Sequence, residues 1–479
     1  MNFFENAWYA SASYYFVLTL FIYLIRPILL SDRGYGYGFF EKFFNRRPFQ
    51  FVLILCGLII FIRTPAALLR AEFWAEDLTE FFLGALHMRS KSILTPVYGY
   101  HFFGERIIAW ASTFLPVFWT PYIFVWVCFL ISTLASAYFV RDGFSWLVKS
   151  QRFRVLLCAT IALGPGTNEV HFSFCNLPSP LTWLAALLLL EVPHRLSIKR
   201  LATLIFIALS AGQTVLLLPL VATFFWVTKS KKYLLLAGGI APMVLLNFIG
   251  NHQTGSQNGL LKYSMVLQAP QAFIENFFAR LLVVPIWGPH NSRFMLRNQL
   301  LFWVVSLVGI YFLRKLFLSE KWSLKDKKFR LLFSMFVGFV GLYAVVIISR
   351  SYSMNSVFIR YGNPGWGLRY SFLPGCAALV IWFSYLSLFL ALPRSKLVTN
   401  FAKFVVFLLV ANNVSNWNSF HHRQNLNWAS GAEKIQEALR QQAEGSLSSE
   451  IRVPLNLLAH PLGWAEKAEL VLQPLQSSK

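Results

Sequence analysis

The chain has 479 residues, of which 56% are hydrophobic and 13% are charged, whereas soluble domains carry about 25% charged residues. This composition argues against a soluble enzyme and predicts a polytopic membrane protein. The net charge of +23 would suggest nucleic-acid binding in a soluble domain, but here the basic residues fall in short clusters between apolar runs. Because that distribution follows the positive-inside rule, we expect membrane lipids and no nucleic acid as partners.

The apolar runs predict a topology when they are combined with the basic loops. Runs over about residues 12–30 and 50–69 enclose the basic segment 31–49, which we therefore place in the cytoplasm. The chain after residue 69 then lies outside, and a third span over about 118–140 returns to a basic segment at Arg141. We expect the protein in the inner, cytoplasmic membrane.

The later spans are shorter or less regular. Two short runs lie around 155–192, and residues 201–228 have basic flanks at both ends. Those flanks require one re-entrant hairpin or two short spans, with an external turn at Ser210–Thr214. The other predicted spans end near 249, cover 300–313, end near 350, and cover 371–392 and 398–414, with the polar segment 250–299 outside. Together they predict an all-α fold of about 12 spans.

The chain divides into two units. Residues 1–414 form a multispan transmembrane domain, and residues 415–479 form a short extracytoplasmic tail or small cap. Residues 429–444 alternate Ala, Glu, Lys and Leu at helical spacing, which predicts a helix. The prolines at Pro454 and in Pro461–Trp464 indicate a short ordered loop after it. We favour a solvated helix over a lid on the acceptor side.

Acidic residues are concentrated after the second predicted span. Five of the 20 acidic residues lie between residues 71 and 106: Glu72, Glu76, Asp77, Glu80 and Glu105. A carboxylate beside a membrane span costs a few kcal/mol unless it is paired, solvated or used. The cluster is therefore the first candidate site. The alternative is a solvated loop whose carboxylates pair with nearby arginines.

The sequence Phe73-Trp74-Ala75-Glu76-Asp77, followed by Tyr98-Gly99-Tyr100 and Arg106, resembles a bacterial group of multispan proteins with a Trp-Ala-Glu-Asp-Gly pattern. The position of the acidic pair in the first large external loop resembles the GT-C superfamily of glycosyltransferases. This chain has Leu78 where that group usually has Gly, and His101 follows the Tyr-Gly-Tyr. The likeness covers most of the membrane part in topology and only short stretches in residues.

The resemblance implies a GT-C-like architecture and an inverting transfer from a polyprenyl-phosphate sugar to an external glycan, lipid or protein. Asp77 would act as general base, and Glu76 would orient it or share a metal ion. The cofactor stays open, with Mg²⁺ or Mn²⁺ as the candidate ion. Arg369 before an apolar run would bind the donor phosphate bidentately, with Arg360 as second choice. The alternative for Arg369 is an interfacial arginine that reaches lipid headgroups.

Other polar residues are candidates for binding the donor or the acceptor. Glu169 is an isolated acid in an apolar region, which by default indicates a functional site. His171 could relay a proton or bind a metal, although a single histidine is more often a hydrogen-bonded structural residue, and the same holds for His290. The remaining candidates are Tyr98, Tyr100, His101, Arg106 and Tyr370.

Two rivals to the transferase stay open. A lipid or polysaccharide transporter or flippase would use the same acids and arginines on headgroups without covalent chemistry, and broken or repeated helices would favour it. A non-catalytic relative of the glycosyltransferases could instead serve as a binding or assembly subunit. No phosphate-binding loop or dinucleotide fingerprint is present in the sequence, so soluble nucleotide chemistry has no support.

Overall fold

A computed structural model describes residues 46–73, 76–97, 101–164, 170–191, 197–253, 372–390, 428–444, 451–455 and 468–472, with isolated residues between 12 and 19 and between 270 and 411. The described part is mostly helical, as predicted. Its α-helices are α1 (Pro48–Arg63), α2 (Pro65–Leu69), α3 (Leu83–Met88), α4 (Phe103–Ser112), α5 (Thr120–Ala137), α6 (Gln151–Leu163), α7 (Pro178–Leu190), α8 (Ile198–Ser210), α9 (Leu218–Thr228), α10 (Lys231–Gln253), α11 (Phe372–Leu390) and α12 (Trp428–Ala443).

Prolines divide the apolar runs into these helices. Pro48, Pro65, Pro121, Pro178 and Pro219 each lie in the first turn of a helix. Proline is favoured there because its missing N–H would have no intrahelical partner and its φ already suits the helix. The predicted second span is therefore two helices, α1 and α2.

The run over 201–228 is broken where the sequence predicted a turn. Helix α8 ends at Ser210, a 3₁₀ helix covers Gly212–Leu217, and α9 follows. The short pair around 155–192 is likewise two helices, α6 and α7. Two short helices fit both alternatives for 201–228, a re-entrant hairpin and two short spans.

One described segment, Val117–Val140, is long and apolar enough to cross a membrane. It comprises α5 with a 3₁₀ turn at each end. Shorter apolar helices cover Pro48–Arg63, Phe174–Leu190, Leu218–Thr228 and Phe372–Ser387.

Helices α1, α5, α6 and α7 pack together around one apolar core. The outer faces of α1 and α5 are apolar as well: Ile54, Leu58, Trp126 and Leu130 are all exposed. Helices that are apolar on both the packed and the outer face are typical of proteins that lie in lipid.

A network of charged and polar residues joins three helix ends close to Val140. The carboxylate of Glu191 is buried and accepts from Arg141 Nε at 2.5 Å, from Arg200 Nη2 at 2.8 Å and from Tyr138 Oη at 2.7 Å. Arg154 in α6 adds an ion pair with Asp142 at 2.9 Å. These contacts fix the C-terminal ends of α5 and α7 to the start of α8.

The first described element of the tail is α12, which confirms the helix predicted at 429–444. Trp428 Nε1 donates to the Phe118 carbonyl at 3.1 Å, and the Val117 amide donates to Gln436 Oε1 at 3.0 Å. The tail helix therefore contacts the end of Val117–Val140 that lies away from the Glu191 network.

The rest of the tail differs from the prediction. Strands β1 (Ile451–Leu455) and β2 (Ala468–Leu472) pair antiparallel, with Ile451 opposite Leu472 and Leu455 opposite Ala468. Pro454, expected in a loop, lies within β1 opposite Glu469. The segment Pro461–Trp464 lies outside the described residues. The all-α prediction thus holds for the described residues before the tail and not for the tail.

Candidate functional site

Asp77 is bound to a loop almost a hundred residues away. Its carboxylate accepts the Phe174 amide at 3.0 Å through Oδ2 and the Cys175 amide at 2.8 Å through Oδ1. These amides begin the 3₁₀ helix Phe174–Asn176, where N–H groups have no partner within the helix. Asp77 is only 2% exposed, and the two amides stabilise the negative charge of its carboxylate.

Glu76 lies beside this anchor and is partly exposed. The Cys175 thiol donates to Glu76 Oε2 at 3.7 Å, and Ser173 Oγ lies 3.2 Å from the same sulfur. Asn176 Nδ2 donates to Ser173 Oγ at 3.1 Å. A polar rim from residues 173–176 therefore borders the Glu76 carboxylate.

The segment that follows the acidic pair is a π-helix, Asp77–Phe82, a form that is rare and frequent at functional sites. Arg106 Nη1 donates to the Glu80 carbonyl at 2.6 Å, and the guanidinium lies 5.4 Å from the Phe81 ring centre. A Cβ added at Gly84 would lie 2.6 Å from Arg106 Nη1, so the glycine makes room for this contact. Arg106 thus points into the protein and supports the π-helix.

His171 also points inward. Its Nε2 lies 3.4 Å from the Ala162 carbonyl, while Arg63 Nη1 donates to the Leu163 carbonyl at 3.2 Å. Both side chains therefore bind carbonyls at the C-terminal end of α6. Burial, with the positive charge of Arg63, lowers the pKa of His171 to about 3. The ring is neutral at physiological pH, which fits a structural hydrogen bond better than the suggested proton relay.

Aromatic rings connect the site to the tail. The Phe174 ring stacks on Phe124 with centres 4.0 Å apart, and Phe124 meets Phe73 edge-on at 5.8 Å. Phe73 in turn meets Trp428 of α12 edge-on at 4.8 Å. The acidic pair thus lies at the same end of Val117–Val140 as the tail helix.

The structure brings together only part of the predicted site. Among the described residues, no three His, Cys, Asp or Glu side chains are grouped so that they could hold a metal ion. His101 is partly buried just before α4, and burial lowers its pKa. The other predicted site residues, Tyr98, Tyr100, Glu169, His290, Arg360, Arg369 and Tyr370, lie outside the described part of the chain.

Sequence reasoning missed the partners of Asp77. Nothing in the sequence signalled that the backbone amides of Phe174 and Cys175 bind a carboxylate. Sequence reasoning also missed the buried network of Glu191. In the sequence, the single acid Glu191 follows an apolar run and precedes a basic turn. That pattern was the available signal for the network.

Comparison with known proteins found no match: no family model, no curated protein and no solved structure is similar to this chain.

Proposed function

We propose that the protein is a polytopic membrane glycosyltransferase of GT-C type, with about 12 spans and an extracytoplasmic active site at the Glu76–Asp77 pair. It transfers a hexose or pentose, with inversion, from a polyprenyl-phosphate donor to an external glycan, lipid or protein. The observation that carries the proposal is a partly exposed carboxylate, Glu76, beside a second carboxylate that two backbone amides hold in place.

The charge distribution supports the sidedness. Arg141, Arg154 and Arg200 lie at one end of Val117–Val140, and Glu76 and Asp77 lie at the other, with the tail helix. Basic clusters favour the cytoplasmic side. The acidic pair and the tail then belong to the extracytoplasmic side, where a lipid-linked donor carries its sugar for transfer to envelope acceptors.

The contacts suggest which of the two acids is the general base and which has a positioning role. The sequence favoured Asp77 as the base and Glu76 as its partner. Asp77, however, is buried and uses both oxygens to hold the 174–175 amides, whereas Glu76 is partly exposed. A general base must come within hydrogen-bond reach of the acceptor hydroxyl. We therefore assign the base to Glu76 and the positioning role to Asp77.

Arg369 remains our first choice for the donor phosphate and Arg360 our second, since a guanidinium matches phosphate oxygens with two hydrogen bonds. Tyr370, Tyr98, Tyr100, His101, Glu169 and His290 remain candidates for contacts with the sugar or acceptor. Arg106 and His171 have structural contacts that favour support over substrate binding. If a divalent ion takes part, Glu76 is the carboxylate best placed to hold Mg²⁺ or Mn²⁺ through oxygen ligands.

A transporter or flippase is the second candidate. The apolar segments around 151–190 and 198–228 are each broken near their middle, and paired broken helices occur at transporter binding sites. A transporter differs from a transferase in one respect: no bond to the sugar is made or cleaved.

Release of polyprenyl phosphate separates these functions. Purified protein would be incubated with polyprenyl-phosphate hexoses and pentoses and an envelope extract as acceptor. The transferase releases polyprenyl phosphate and labels an acceptor. In proteoliposomes with a fluorescent polyprenyl-phosphate sugar, movement between leaflets without any release would instead establish the transporter.

A further inference from the structure

Glu105 is a fully buried carboxyl group without a hydrogen-bond partner. Its exposed fraction is 0%, and neither Oε1 nor Oε2 has a partner. It lies in α4, outside the predicted spans, on the face that also buries Ala109 and Ser112. Buried carboxylates are almost always paired or hydrogen-bonded, so this group needs an explanation.

Among the residues that the structure describes, Glu105 forms no ion pair. Its neighbour Arg106 extends to the Glu80 carbonyl instead. Helix α4 packs on the π-helix, α3, the following 3₁₀ helix Arg89–Leu94, α5 and α8. The titratable and charged residues of those elements are Asp77, Glu80, His87, Arg89, Lys91, Tyr122, Cys128, Lys199 and Arg200.

An ionised carboxylate in this position would be strongly destabilised. Burial raises the pKa of Glu105 to about 8, and the nearby backbone N–H of the same residue offsets that shift only in part. The group is therefore largely protonated at neutral pH. Protonation removes the charge and lets α4 pack against the core.

Helix α4 connects this carboxyl group to the acidic pair. Arg106, the next residue, holds the Glu80 carbonyl of the π-helix that begins at Asp77. On the other side, the Gly104 amide donates to Ser210 Oγ in α8 at 3.0 Å. A shift of α4 would therefore change the support of the π-helix directly.

We propose that Glu105 is a proton-dependent lock: its protonated form holds α4 against the π-helix, and its ionisation loosens that contact and the Asp77 anchor. The inference concerns the folded protein itself and does not depend on the transferase function. It rests on the burial of the carboxyl group, its lack of partners and the Arg106 contact.

The sign of the effect follows from proton binding. Between the ordinary glutamate pKa and about 8, the folded protein holds a proton that the unfolded chain has lost. The stabilisation is thus fully present at low pH and is lost progressively until pH passes the folded-state value.

Thermal unfolding of the purified full-length protein in detergent, measured from pH 6 to 9, tests the lock. We expect the wild-type melting temperature to fall by on the order of 5 °C from the Glu105 contribution. Glu105→Gln should lose that part of the pH dependence, while the control Glu433→Gln, an exposed acid on α12, should keep it. The same pH dependence in Glu105→Gln and wild type would overturn the proposal.

Cys175 supplies a second readout, because its amide binds Asp77. The ratio of maleimide labelling rates, wild type over Glu105→Gln, should be near one at pH 6 and should rise several-fold at pH 9. A ratio that does not change with pH would show that the group does not act on the anchor. If Glu105→Gln fails to fold, Glu105→Met should fold and show a flat pH response. Failure of both variants to fold at pH 6 would also overturn the proposal.

Discussion

Asp77 Oδ1 accepts the backbone amide of Cys175 at 2.8 Å, while Oδ2 accepts the neighbouring amide of Phe174 at 3.0 Å. The carboxylate therefore joins the acidic segment to a loop between two later helices, α6 and α7. Because these amides open a 3₁₀ helix, Asp77 both caps that helix and fixes the position of Glu76 beside it.

The first prediction concerns the stability that Asp77 provides. Hydrogen bonds to charged groups contribute about 1.5–3 kcal/mol each, so Asp77→Ala should lower the free energy of unfolding by about 3 kcal/mol or more. Asp77→Asn keeps one acceptor oxygen and should lose less. Thermal unfolding in detergent measures both, with Glu76→Gln as the matched control. A loss of stability in Glu76→Gln as large as in Asp77→Ala would contradict the division of roles.

The second prediction concerns sidedness, for which the chain has a natural reporter. Of its five cysteines, Cys56, Cys128, Cys158 and Cys376 are buried and Cys175 is partly exposed. A membrane-impermeant maleimide should label one thiol from the extracytoplasmic side, and Cys175→Ser should abolish the label. Labelling only after access to the cytoplasmic side would refute the topology.

The third prediction concerns the Glu191 network. Glu191→Ala would leave Arg141, Arg200 and Tyr138 without their shared acceptor. Breaking a buried pair costs about 3–5 kcal/mol, and the partial exposure of Arg141 places the expected loss at the lower end, about 3 kcal/mol. Glu437→Ala on α12 removes an exposed pair with Arg440 and should change stability by less than about 1 kcal/mol. If Glu191→Ala and Glu437→Ala lowered the free energy of unfolding equally, the buried network would contribute no more to stability than an exposed ion pair.

Local patterns predicted the helices well. The apolar run over 118–140 corresponds to Val117–Val140, and the helical spacing at 429–444 corresponds to Trp428–Ala443. The turn expected near Ser210 is present because the chain there combines small and polar residues between two apolar segments. In each case the signal lies within a few residues of the structure that it predicts.

Long-range contacts could not be predicted in this way. Nothing near Asp77 indicates that its partners are the amides of residues 174 and 175, because backbone donors have no sequence signature. The burial of Glu105 was equally hidden, since an acid in a polar stretch suggests a solvated group. The β1–β2 pair was missed because Pro454 disfavours a strand, although an edge position tolerates it.

The fourth prediction concerns Arg369, which was assigned from the sequence. Arg369→Ala should weaken binding of a polyprenyl-phosphate analogue by about one to two orders of magnitude, corresponding to a charge-assisted contact of about 1.5–3 kcal/mol. Arg369→Lys should keep part of the affinity because it retains the charge but not the two-pronged geometry. Binding to purified protein in nanodiscs measures both. Equal affinities of wild type, Lys and Ala variants would remove Arg369 from the site.

The most direct test of the account is the turnover of a polyprenyl-phosphate sugar by wild type and by Glu76→Gln, followed as released polyprenyl phosphate. Loss of a general base lowers turnover by about 10²–10⁴-fold, and we expect that loss in Glu76→Gln with unchanged melting temperature. The control Glu437→Gln on α12 should retain full turnover. Turnover by Glu76→Gln at the wild-type rate would contradict the assignment of Glu76 as the base, and no release by the wild type with any donor would contradict the transferase itself.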